Sequence, residues 1–254
     1  MEQDKKEGNG RMNLGKERKA KETEIMALNE PESGKQGSFT RRGQSLVKKD
    51  LHQLKINPFH PNLSTKQFST EFNYNATSPY DNFPPAHVRG LLGDKRLKGW
   101  GSYGEVFEHL IQRVKPKVIV EVGTFLGASA LHMAELTRKL GIDSLILCIE
   151  DFRGWLGFRD LVGFVIMVNG DVLLQYQFMQ NVVQNNATGS VLPIPFSSGS
   201  TMEILCEWGV FGDLIEIDAG HDFNSAWADI NRAYRILRPG GVVLGHDYFT
   251  AADN

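Results

Sequence analysis

The stretch Val118-Ile119-Val120-Glu121-Val122-Gly123-Thr124-Phe125-Leu126-Gly127-Ala128-Ser129 is an apolar run, then a glycine-spaced turn, then helix-forming residues. Strand, turn and helix in that order open an α/β unit. Gly123 lets the backbone turn tightly beside a ligand, and Gly127 opens the helix. The free N–H groups of the first helical turn and the small Ala128 and Ser129 permit close approach. Thr124, Phe125 and Leu126 fill the interval between the glycines, so the G-x-G-x-x-G dinucleotide fingerprint is absent.

Downstream, apolar runs alternate with helical stretches. The spacing predicts strands at about 117–122, 144–149, 191–196, 213–218 and 241–246, with helices at about 127–140, 172–185, 200–207 and 224–237. Helices separating apolar strands imply a Rossmann-like α/β fold, a doubly wound parallel sheet with flanking helices. In the helix near Asn224, Trp227, Ile230, Tyr234 and Leu237 form the stripe expected to be buried, while Asp229 reads as a solvent-facing or capping charge. Pro239-Gly240-Gly241 ends that helix. Ahead of the first strand, Ser102-Tyr103-Gly104-Glu105 has capping-box spacing. Val106, Phe107, Leu110, Ile111 and Val114 follow as one helical stripe that Pro116 stops.

The N-terminal part has a different composition. Residues 1–50 hold 12 Lys/Arg, 9 Asp/Glu and only 11 apolar residues, too few to offset the entropy of ordering them. Residues 1–57 therefore read as a disordered polar tail, 58–99 as an irregular proline-containing arm, and 100–254 as the folded domain. Removing residues 1–50 from the 28 basic and 30 acidic residues of the chain leaves 16 and 21, a net charge of −5 that does not suggest a nucleic-acid face. Cys148 and Cys206 each sit in an apolar run, as buried reduced thiols do, which points to a reducing, cytoplasmic setting. No apolar run approaches the ~20 residues a membrane helix needs.

In a doubly wound sheet the ligand lies beyond the carboxyl ends of the strands. Glu150 ends the second strand, where a ribose diol takes a carboxylate, and Asp151 is the second choice. Other candidates cluster at two strand ends: Asp218, His221 and Asp222 after Leu214-Ile215-Glu216-Ile217, and His246 and Asp247 after Val242-Val243-Leu244-Gly245. His221 or His246 suits a general base, since imidazole titrates near neutral pH; either also suits fixing a loop through Asp222 or Asp247. The loop from Asp151 to Arg159 sets Phe152 and Trp155 beside Arg153 and Arg159, a combination able to cover a substrate or to pack back on its own domain.

Taken together, E-V-G-T-F-L-G-A-S, the second-strand acid, the IDAGHD stretch and LRPGGVVLGHDY resemble class I S-adenosylmethionine (SAM)-dependent methyltransferases. The likeness spans about 100–254. It is closest to the branch of small-molecule O-methyltransferases and cephalosporin-hydroxylase-like proteins, and within it to a plant-type group. The resemblance implies that Glu121, Gly123 and Gly127 surround the methionine part of the cofactor, and Thr124, Phe125, Ser129 and Asp218 are further candidate cofactor contacts. It places Glu150 and Asp151 at the ribose and Ser198, Gly199 and Ser200 at the adenine, where Ser198-Gly199-Ser200 also reads as a helix cap. His221, His246 and Asp247 are the catalytic candidates.

Some relatives hold a divalent cation such as Mg²⁺. Asp218 and Asp247 match two of their ligand positions, but Tyr248 stands at the third, and His221 or His246 would complete an N/O set. The resemblance also implies a small-molecule substrate, a hydroxylated metabolite, and leaves the oligomeric state open. The chain ends directly after the fifth parallel strand, where relatives add a helix and two strands, so a C-terminally truncated domain with an exposed sheet edge is expected. Two other readings are a nucleotide-dependent oxidoreductase, disfavoured by the missing fingerprint, and a non-catalytic interaction protein on the same scaffold.

Overall fold

A computed structural model describes residues 25–26, 78–94, 105–154 and 167–245. The elements in chain order are β1 (Ile25–Met26), α1 (Glu105–Val114), β2 (Val118–Val122), α2 (Ala128–Lys139), β3 (Leu145–Ile149), β4 (Met167–Val168) and β5 (Asp171–Val172). They continue with α3 (Leu173–Gln184), β6 (Val191–Ile194), α4 (Ser198–Glu207), β7 (Gly212–Ile217), α5 (Phe223–Arg235) and β8 (Leu237–Gly245). The main sheet has the order β1-β8-β7-β2-β3-β6. Its five long strands are parallel, as the alternation of strands and helices predicts.

Alternate residues of each strand serve opposite faces. Ile119, Ile146, Cys148, Leu214 and Leu244 join the core formed with α1, α2 and α3. Val120, Leu147, Ile215 and Val243 face the other way, toward Met202 and Leu205 of α4 and Ala233 of α5. Helices therefore cover both faces, and this is why the strands read as unbroken apolar runs.

Helix α5 corrects the sequence reading. Trp227, Ile230 and Tyr234 are exposed, at 59, 44 and 62%, whereas Asp229 and Ala233 are its buried residues. Two stripes with helical spacing run along this helix, one bulky and one small. The small one faces inward because α4 packs closely there: Ser198 Oγ donates to Asp229 Oδ1 at 2.7 Å. Leu237 also leaves the helix and begins β8, pairing with Gly212. The register then jumps to Leu214 opposite Val242, an irregularity that contains Pro239 and the positive-φ Gly240.

Three further features differ from or add to the reading. Asn169 and Gly170, with φ of 52° and 91°, turn β4 into β5, the Asn-Gly signature of a tight hairpin. Residues 78–94 pack on the domain: Val88 is buried, Tyr80 Oη donates to Val191 O at 2.7 Å, and Gly93 exchanges hydrogen bonds with the Gln177 amide. Within the stretch read as a polar tail, Ile25–Met26 pairs antiparallel with Leu244 and Val243, along the β8 edge expected to be open. The capping-box residues Ser102 to Gly104 lie outside the described residues.

Candidate functional site

From β2 the chain steps to β3 and β6 on one side of the sheet and returns to β7 and β8 on the other. That divergence opens a crevice at the carboxyl ends of β2 and β7. The turns after these strands touch. Gly123 N–H donates to Ile149 O at 2.9 Å and Asp218 N–H donates to Val122 O at 2.8 Å. Gly123 has φ +96°, and a Cβ there would lie 2.2 Å from the Asp218 carbonyl oxygen, so conformation and space both demand glycine. Gly127, at φ +83°, caps α2 without a side chain; a Cβ there would come within 2.8 Å of the Phe178 ring. Phe178 in turn packs on Phe152, with ring centroids 5.5 Å apart.

Above these turns lies a cavity of about 610 Å³, within the usual range for a small-molecule site. Gly123, Thr124, Phe125 and Ser129 line it from the first turn, Glu150, Asp151 and Gly154 from the turn after β3, and Asp218 to Asp222 with Ser225 from the turn after β7. Ser198 lines an adjoining cavity of about 370 Å³, which shares Ala219, Gly220 and Ser225 with the first. Gly199 lies close against the Arg232 guanidinium, and Ser200 N–H donates to the Ser197 cap. His246, Asp247 and Tyr248 lie outside the described residues, as do Trp155 and Arg159.

Glu121 stands behind the cavity wall, fully buried. Thr124 Oγ1 donates to its Oε2 at 2.6 Å, Ser129 Oγ donates to its Oε1, and Cys148 Sγ lies 3.4 Å from Oε2. Burial pushes its carboxyl pKa up, the three donors pull it down, and the Asp218 charge adds to the rise. Two of those donors are cavity residues, so Glu121 orients the wall. Directly opposite Glu121 in the sheet is Glu216, 4% exposed, whose Oε2 has no hydrogen-bond partner among the described residues. Burial drives its pKa well above the ordinary value, and the charges of Glu121 and Asp218 push it further. The sequence reading passed over Glu216, yet the signal was present: a carboxyl within the apolar run Leu214-Ile215-Glu216-Ile217.

Glu150 faces the cavity with both oxygens already oriented. Phe125 N–H donates to Oε2 at 3.3 Å and Phe152 N–H to Oε1 at 3.2 Å. Each carboxylate oxygen keeps a second lone pair, so a vicinal diol still finds acceptors. Burial raises the Glu150 pKa, and these backbone donors oppose the rise. Asp151 is committed instead to Arg153, through an ion pair at 2.8 Å and a backbone hydrogen bond at 2.9 Å. Asp222 caps α5 by accepting Ser225 N–H at 3.0 Å, and its Ser225 contacts lower its pKa. Among the described residues no three His, Cys, Asp or Glu side chains gather as a metal site.

A cavity at the switch point, with a glycine turn on one side and a strand-end acid on the other, lies where open α/β sheets take their ligands. Residues 120–248, half of the chain, match the family described as "Methyltransferase domain". The chain belongs to this family and is a methyltransferase. Among solved structures, it is similar to the O-methyltransferase TomG of Streptomyces achromogenes, involved in tomaymycin synthesis and solved with SAM: 16% identity over 82% of this chain and 74% of that one, TM-score 0.43. It is also similar to the Bacillus cereus O-methyltransferase solved with SAH (18%, 79% and 71%, 0.42) and to the SAH-bound Podospora anserina methyltransferase PaMTH1 (16%, 84% and 73%, 0.41). No curated protein matches the chain.

Proposed function

We propose that the chain methylates a hydroxyl group of a small metabolite, with SAM held in the 610 Å³ cavity. The observation that carries this reading is that one cavity gathers the Gly123 turn, Glu150 and the Asp218–Asp222 turn. When bound, SAM supplies a sulfonium methyl group: the acceptor oxygen forms the new C–O bond as the C–S electron pair passes to sulfur. Glu150 accepts the ribose hydroxyls, held in place by the Phe125 and Phe152 amides. Thr124 and Ser129, fixed by Glu121, form the wall at the methionine end. The adjoining cavity at Ser198 takes the adenine edge, with the Gly199 and Ser200 backbone beside it.

His221, which lines the same cavity as Glu150, takes the acceptor's proton in this reading. His246 and Asp247 follow β8 in the sequence and remain the other candidate base and, with Asp218, the candidate cation ligands. A transfer assay with methyl-labelled SAM and a panel of phenolic and sugar hydroxyl acceptors tests the proposal. Labelled product with at least one acceptor, reduced about 100-fold or more in His221→Ala, is expected. No transfer to any hydroxyl acceptor, alongside transfer to amines or thiols, would overturn the acceptor class. A magnesium-dependent change in rate that Asp218→Asn abolishes would assign the cation pair.

A further inference from the structure

Two buried amides on α3 join residues 78–94 to the turn that lines the cavity. Gln177 and Asn181 lie one helical turn apart and are 2 and 0% exposed. Gly93 N–H donates to Gln177 Oε1 at 2.9 Å, and Gln177 Nε2 donates back to Gly93 O at 2.8 Å. Gln177 Nε2 also donates to Asn181 Oδ1 at 3.1 Å, and Asn181 Nδ2 donates to Leu126 O at 2.9 Å. Backbone groups fix the direction of this relay at both ends. Gly93 N–H can only donate and Leu126 O can only accept, so neither amide can flip.

Leu126 is where such a bond matters. Its neighbours Phe125 and Gly127 have φ of 47° and 83°, and a left-handed phenylalanine persists only where its surroundings hold it. Phe125 N–H donates to Glu150; the next peptide group but one is held at the Gly127 N–H by Thr124 O and at the Leu126 carbonyl by Asn181. Residues 78–94 grip α3 at further points. Phe83 stacks on Tyr176 with ring centroids 6.4 Å apart, His87 meets the same ring edge-on at 6.1 Å, and Gln184 Nε2 donates to Asp94 Oδ1 at 2.6 Å. We infer that Gln177 and Asn181 are positioning residues that couple docking of residues 78–94 on α3 to the conformation of the Thr124–Gly127 turn, and through it to cofactor binding. The coupling is reciprocal: a cofactor that orders the turn tightens the docked segment by the same factor. Its cofactor half rests on the proposed SAM site.

Amide hydrogen exchange on the full chain, with and without SAH, tests the coupling. In the parent, SAH is expected to slow exchange over 78–94 about fivefold or more, together with exchange over 123–127. Asn181→Leu is expected still to bind SAH and to protect 123–127, but to lose the response of 78–94. A purely structural amide would raise exchange evenly and leave that response intact, which would overturn the inference. Gly93→Pro removes the N–H at the outer end of the relay, away from the core, and is expected to speed exchange at Leu126 and Gly127 without any ligand. Protection of 123–127 by SAH with no change over 78–94 in the parent would overturn the coupling and leave the cofactor site standing. No effect of SAH on any amide would strike the cofactor site instead; Gly93→Pro then decides the coupling by itself, and unchanged exchange at Leu126 and Gly127 would overturn it.

Discussion

Gly123 has no tolerance for a side chain, because the nearest obstacle to a Cβ is the backbone of Asp218 and not a movable group. Gly123→Val is therefore expected to separate the turns after β2 and β7 and to weaken SAH binding by about 100-fold or more, measured by calorimetry. Glu150→Ala leaves the fold in place but removes two charge-assisted acceptors; affinity is expected to fall about 10- to 100-fold. An unchanged dissociation constant in both variants would displace the cofactor from this cavity. Glu216 is a different case, a buried carboxyl with one oxygen unpartnered among the described residues, whose pKa is raised by burial. A raised acid contributes stability that is complete below the ordinary glutamate value of 4.5 and is lost as pH rises through the folded value. Glu216→Leu removes that loss. Urea midpoints at pH 5 and pH 8 should show the variant gaining on the parent at the higher pH, and a pH-independent difference would contradict the assignment.

At the scale of elements, α5 and α4 show what periodicity can and cannot decide. The helix at 224–237 was legible from its spacing, but its inward face was not, because both the bulky stripe and the small stripe repeat helically and bulk pointed to the wrong one. What decides is the close approach of α4, where Ser198 and Arg232 both meet the Asp229 carboxyl. Asp229→Ala leaves two partners unpaired at that approach, and thermal unfolding should show a loss of about 1–3 kcal/mol. A change under about 0.5 kcal/mol would mean that Asp229 is not buried against α4. The β4–β5 hairpin was signalled by Asn169-Gly170, but its two-residue strands are too short to register as apolar alternation. The strand positions were readable throughout, since helices on both faces leave each parallel strand apolar.

For the whole molecule, the order of strands explains why distant stretches of chain converge. β2 is paired with both β3 and β7, so the turns ending at Gly123, Glu150 and Asp218 are brought to one rim although they are separated by 27 and 68 residues in sequence. The cavity residues supplied by strand ends were legible because topology alone places them. Those supplied by depth were not: that Glu121 accepts hydrogen bonds from Thr124 and Ser129 behind the wall depends on side-chain direction inside the sheet. Isothermal titration of the purified full chain with SAH, repeated with the Glu150→Ala variant, tests the central claim most directly. The account predicts saturable one-site binding in the micromolar range that the variant weakens at least about tenfold. A folded chain that binds no SAH, or binds it equally well without the Glu150 carboxylate, would contradict it.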